Sequence, residues 1–156
     1  MARHGGFTLV ELIAVMVVLG ILSAVALPRM MNNQALAGAA FQSDVVSALR
    51  YAQKSAVSHR RLVCATLTAT TVTLAIATNN PDTSCAVGAA LPSPDGTLYQ
   101  SRDGSVQASG YPAGLYFQPA GTITSDGAGA TLYSGTISIT GQGAPITIVG
   151  ATGYVG

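Results

Sequence analysis

The chain has one glutamate, no tryptophan and two cysteines, and only 8% of its 156 residues are charged. Its formal net charge is +1, so no strong field exists to steer it to nucleic acid or to an acidic surface. Of the two histidines, His4 lies in the first six residues, which leaves His59 alone with Cys64 and Cys85. Those three side chains do not make a four-ligand zinc site. No lysine or arginine follows Arg102, so the C-terminal stretch lacks cations to hold phosphate. The five aspartates, at 44, 82, 95, 103 and 126, stand mostly in turn contexts, where a short carboxylate bonds its own backbone. No two of them form a spaced acid–base pair, and neither a phosphate-binding glycine loop nor a nucleophile elbow is present. No catalytic residue, metal site or cofactor is expected, and the chain reads as a non-enzyme. His59 reads as a helix-end or surface residue beside Arg60 and Arg61.

Long apolar runs are what the chain does have. Residues 7–27 (FTLVELIAVMVVLGILSAVAL) are apolar apart from Thr8, Glu11, Gly20 and Ser23. As a helix this segment is about 30 Å long, the thickness of a bilayer's hydrocarbon core. Glu11 lies inside it, where a carboxylate costs on the order of 2.5–3.5 kcal/mol and therefore calls for a partner. A cleaved secretory signal is one reading, with Ala24-Val25-Ala26 imitating a cleavage site, but such signals have shorter apolar regions and no use for Glu11. A plain membrane anchor is a second. The third is a signal cut before the apolar run. Arg3 ahead of the run keeps the leader cytoplasmic and sends the rest outward.

Gly6-Phe7-Thr8-Leu9-Val10-Glu11-Leu12 resembles the processing site of type IV pilins and type II secretion pseudopilins. The resemblance implies that a prepilin peptidase cuts after Gly6 and that the new N-terminal Phe7 is N-methylated. It also implies that Glu11 neutralises the N-terminal amine of a neighbouring subunit during assembly. Chemistry agrees: cleavage leaves a cation at Phe7, four residues from Glu11, and pairing removes the desolvation cost of both charges. Pro28, after the run, implies a helix kink near residues 24–28 or, alternatively, a helix terminus at Leu27.

Helical periodicity resumes beyond Pro28. Phe41, Val45, Leu49, Ala52 and Ala56 share one face, and the helix is expected to end near residues 58–60. From Leu62 the period changes to that of strands, at 62–67, 71–76, 105–108, 115–117, 135–140 and 145–149. Thr136, Ser138 and Thr140 alternate with Ile137 and Ile139, giving one wet and one buried face. The expected fold is α+β: a long N-terminal helix, transmembrane in its first half and packed by its second half on an antiparallel β-domain. The expected organisation is a leader at 1–6, a transmembrane and filament-core helix at 7–27, an amphipathic helix at 28–61 and a β-rich head at 62–156. Cys64 and Cys85 are compatible with one disulfide or with two buried thiols.

The tail, Phe117-Gln118-Pro119-Ala120-Gly121-Thr122 with a closing Gly153-Tyr154-Val155-Gly156, is similar to minor pilins grouped as H-type pseudopilins and FimT-like proteins. The N-terminal stretch through Leu27-Pro28-Arg29 also resembles pilins of the mannose-sensitive haemagglutinin (MSHA) system. These resemblances imply a minor subunit of an MSHA-like type IV pilus. The alternatives are an H-type minor pseudopilin of type II secretion and a membrane-anchored binding module that does not polymerise. The implied partners are other pilin or pseudopilin subunits, the prepilin peptidase, the inner membrane and its assembly platform. The implied location is the bacterial inner membrane, with a periplasmic C-terminal domain, and then the pilus or pseudopilus. Some FimT-like proteins bind DNA through a basic C-terminal motif, but residues 150–156 carry no basic residue, so DNA is not an expected partner.

Overall fold

The computed structural model describes residues 8–30 and 33–156, with side chains at 8–24 and 34–156. It divides into two compact units, Met1–Asn33 and Gln34–Gly156. The first holds α1 (Leu9–Met30). The second is built from α2 (Asn33–His59) and ten strands: β1 (Val63–Leu67), β2 (Thr71–Ile76), β3 (Ala89–Ala90), β4 (Tyr99–Gln100), β5 (Ala108–Ser109), β6 (Leu115–Phe117), β7 (Ile123–Thr124), β8 (Ser134–Ile139), β9 (Ile146–Val149) and β10 (Tyr154–Val155). This is an α+β fold, a long N-terminal helical region followed by antiparallel sheets.

Pro28 lies inside α1, which continues to Met30, and α2 begins at Asn33. A proline forfeits only its own amide bond, so helical backbone can continue for a turn beyond it. The Pro28 ring, and with it the expected kink, lies outside the described side chains.

The strands form two antiparallel sheets. One has the order β3-β2-β1-β6-β7, with β4 also pairing β2; the other runs β10-β9-β8-β5. The β1–β2 hairpin sets Val63 opposite Ile76 and Leu67 opposite Val72. Val63, Ala65 and Leu67 consequently point inward together with Val72, Leu74, Leu115 and Phe117. In the second sheet Ile137, Ile139, Ile146 and Ile148 are buried while Thr136 and Ser138 face solvent, as their alternation predicts.

One core unites α2 with both sheets. Phe41, Val45, Leu49, Ala52 and Ala56, the predicted stripe, are all at most 1% exposed, and Ala48 joins them. Polar side chains flanking the stripe fix the helix to the loops. Gln42 Nε2 donates to the Ala144 carbonyl at 3.0 Å, Arg50 Nε to that of Val155 at 2.9 Å and Gln53 Nε2 to that of Gly121 at 3.1 Å. Gly38 lets the β8–β9 turn approach α2 closely: a Cβ there would stand 2.6 Å from the Thr140 carbonyl oxygen.

The end of α2 is closed without glycine. The Arg61 amide reaches back to the Ala56 carbonyl at 3.1 Å and the Arg60 amide to Val57 at 3.3 Å, the two bonds of a Schellman cap. That cap requires left-handed backbone, and Arg60 adopts it at φ 52°. Arg60→Gly is therefore expected to stabilise the chain by about 1 kcal/mol, read as a higher midpoint of urea unfolding in detergent. An unchanged or lower midpoint would show that the Arg60 side chain contributes more than its backbone costs.

Cys64 and Cys85 are bonded across a separation of 21 residues, with Cα atoms 6.1 Å apart. The bridge fixes the loop after β2 to the second residue of β1. Closing a loop of that size contributes about 3 kcal/mol. Removing both sulfurs by Cys64→Ser and Cys85→Ser should lower the unfolding free energy by about that amount, and reduction of the wild type should match it.

Candidate assembly site

The residues singled out by sequence fall at the start of α1. Gly6 and Phe7 lie outside the described residues. Glu11 is in the first turn of α1, three residues after Thr8. The Glu11 amide donates to the Thr8 carbonyl at 3.1 Å and to Thr8 Oγ1 at 3.3 Å, and the Leu12 amide donates to the Thr8 carbonyl at 3.2 Å. Thr8 thus caps the helix, and Thr8-x-x-Glu11 has the spacing of a capping box. The acid at the third helical position also suits the positive end of the helix dipole. Sequence reading missed the role of Thr8, although the T-x-x-E pattern was there to find.

Behind this acidic first turn α1 is apolar on every side. Leu9, Leu12, Ile13, Met16, Val17, Leu19, Ile21 and Leu22 are each at least 52% exposed. A helix that is apolar all round belongs in a nonpolar environment, lipid or packed protein, because no single face could bury it. Ser23 returns its hydroxyl to the Leu19 carbonyl at 2.7 Å, so this polar group satisfies itself within the helix. Among the described residues no helix is long and apolar enough to cross a membrane. The apolar run read from sequence, 7–27, extends beyond the described side chains at both ends.

Elsewhere the polar groups are structural. His59 Nδ1 lies 3.0 Å from the Ser55 carbonyl at the last turn of α2, the helix-end position expected for it. Among the described residues no cluster of three or more metal-ligating side chains exists. The aspartates bond their own loops. Hydroxyls of Ser93 and Thr97 hold the Asp95 carboxylate down at about 2. The Ser105 amide and hydroxyl lower Asp103, and the amides of Ala130 and Thr131 lower Asp126 at 3.0 and 2.7 Å. Asp44 is raised by partial burial, which Arg102 opposes. A carboxylate lowered in the folded state contributes stability above its ordinary pKa near 4 and loses it as pH falls through the lowered value. Stability should hold from neutral pH to about 5 and then decline below about 4, with Asp126→Asn flattening that decline. A decline beginning near pH 6 would contradict this assignment.

Comparison with known proteins supports the N-terminal reading. Residues 1–27 match the family model described as the prokaryotic N-terminal methylation motif. No curated protein and no solved structure matches the chain. The matched segment ends where α1 nears its close, and Glu11, Thr8 and the all-apolar helix lie within it. The chain carries a prepilin-type N-terminal signal, which supports the type IV pilin and pseudopilin family, and its α+β fold is consistent with a pilin fold.

Proposed function

We propose that this protein is a non-enzymatic filament subunit, a minor pilin of an MSHA-like type IV pilus. Prepilin peptidase removes residues 1–6, and Phe7 is methylated. Residues 7–27 hold the subunit in the inner membrane with the head in the periplasm, and the same helix then packs into the filament core. Glu11 meets the Phe7 amine of an adjacent subunit and fixes the axial stagger. The observation that carries this reading is one acid in the first turn of a helix apolar on every other side, within a methylation motif. The acid is unaffordable in lipid or a packed bundle unless a cation meets it, and cleavage after Gly6 creates that cation.

A second reading, an H-type minor pseudopilin of type II secretion, shares every one of these steps. Deleting the gene separates the two. Loss of surface filaments with secretion intact supports the pilus; loss of secreted proteins with filaments intact supports the pseudopilus. A deletion that changes neither would favour an anchored module that does not polymerise.

A further inference from the structure

Three aspartates are followed by glycine, at Asp95-Gly96, Asp103-Gly104 and Asp126-Gly127. At such a pair the chain can cyclise on itself, because no side chain on the second residue shields its amide nitrogen from the preceding carboxyl. The three sites differ in what holds that nitrogen and that carboxyl. The Gly96 amide is tied, donating to the Ser93 carbonyl at 3.0 Å, and the residue sits in left-handed backbone at φ 73°. Asp126 is fixed on both sides. Its carboxylate oxygens accept the amides of Ala130 and Thr131 at 3.0 and 2.7 Å, and its carbonyl accepts the Thr124 hydroxyl at 2.7 Å. Gly127 is pressed so closely on the Thr83 carbonyl that a Cβ would collide with it. Gly104 has neither restraint. It is exposed, nothing lies within 4 Å of where its Cβ would stand, and its amide has no hydrogen-bond acceptor among the described residues. Asp103 Oδ1 accepts the Ser105 amide at 2.9 Å and the Ser105 hydroxyl at 2.8 Å, which folds the carboxyl back over its own turn. Hydrogen bonds hold all three carboxylates in the charged form, which slows ring closure at each and leaves the amide to decide between them.

We propose that Asp103-Gly104 is a site of spontaneous rearrangement to isoaspartate, and the one of the three pairs at which the product accumulates in the folded chain. The Gly104 nitrogen attacks Cγ of the protonated Asp103 side chain. The new N–Cγ bond closes a succinimide ring, and the carboxyl's hydroxyl leaves with the amide proton as water. Water then opens the ring at the main-chain carbonyl carbon. The backbone now runs through Cγ, and the former main-chain carbonyl ends as a free carboxylate. One water is lost and one regained, and nothing is oxidised or reduced. The product carries an extra methylene in its backbone, which moves the carboxylate off the Ser105 amide and hydroxyl. Ser105 Oγ also accepts a bond from Gln34 Nε2 at 3.3 Å, so the change loosens this turn from the first turn of α2. The buried Val106 and Ala108 confine the disturbance on the other side. The rearrangement needs no filament; its build-up in a long-lived extracellular subunit rests on the filament reading above.

The full-length protein, held folded in detergent for weeks at physiological temperature, tests this by peptide mapping. Chymotrypsin separates residue 103, between Tyr99 and Tyr111, from residue 126, between Phe117 and Tyr133, and from residue 95. Electron-transfer fragmentation distinguishes isoaspartate from aspartate, and the succinimide reads as the loss of one water's mass. Isoaspartate should rise with time at residue 103, several-fold above residues 95 and 126. In a sample unfolded in urea the three pairs should converge, since the folded turn no longer chooses among them. Gly104→Ala fits the open space at that position and hinders the nitrogen, so it should cut the yield at residue 103 several-fold. Isoaspartate at 95 or 126 equal to that at 103 in the folded chain, the same distribution folded and unfolded, or none at 103 would each overturn the assignment.

Discussion

A Glu11→Ala chain should be processed and inserted like the wild type and yet be missing from filaments. Removing one partner of a buried ion pair leaves the other charge uncompensated at a cost of about 3–5 kcal/mol, more than a hundredfold in an incorporation equilibrium. The uncompensated charge would be the Phe7 amine of the neighbouring subunit. The substitution also removes the acid from the first turn of α1, where it suits the helix dipole, so a control must separate the two effects. Thr8→Ala supplies it, since it deletes the cap that binds the Glu11 amide and costs about 1 kcal/mol of helix stability while keeping the carboxylate. Quantifying each variant in membranes and in sheared filaments distinguishes the cases. The account expects Thr8→Ala near wild-type levels and Glu11→Ala depleted. Equal incorporation of Glu11→Ala and wild type would remove the assembly role and favour an anchored module.

Phe41→Ala should destabilise the head by about 3–5 kcal/mol, a large share of the stability of a domain of this size. Phe41 is 1% exposed and is among the largest fully buried side chains, in the core that joins α2 to both sheets. Leu36→Ala, one and a half turns earlier at 74% exposure, should change stability by less than about 0.5 kcal/mol. Urea unfolding of the full chain in detergent, followed by tyrosine circular dichroism, measures both. Similar effects from the two substitutions would mean that α2 is not held to the sheets by the stripe described here.

That stripe was legible because burial on one side of a helix imposes a period, and Phe41 through Ala56 kept it without interruption. The hairpin at 63–76 and the strand at 115–117 were legible for the matching reason, runs of β-branched and aromatic residues bounded by turns. Four strands escaped notice, at Ala89–Ala90, Tyr99–Gln100, Ile123–Thr124 and Tyr154–Val155. Two residues are too few to establish an alternation, and these strands exist because a partner edge recruits them. The end of α2 was placed correctly without its mechanism, since a left-handed cap at Arg60 has no glycine to announce it.

The N-terminal residues were read differently. Gly6, Phe7 and Glu11 stood out through a motif, and physical chemistry then explained why an acid would be tolerated in an apolar helix. That Asp44 and Asp95 share a groove was not legible, because they are far apart in sequence and meet only when the loop before β4 folds against α2.

The central claim is that an amine created at Phe7 gives Glu11 its counter-charge. Intact mass spectrometry of the protein recovered from the membranes of a host with an active prepilin peptidase tests it most directly. The account predicts a chain beginning at N-methylated Phe7. A chain that keeps residues 1–6, or one beginning at Leu27, would contradict it.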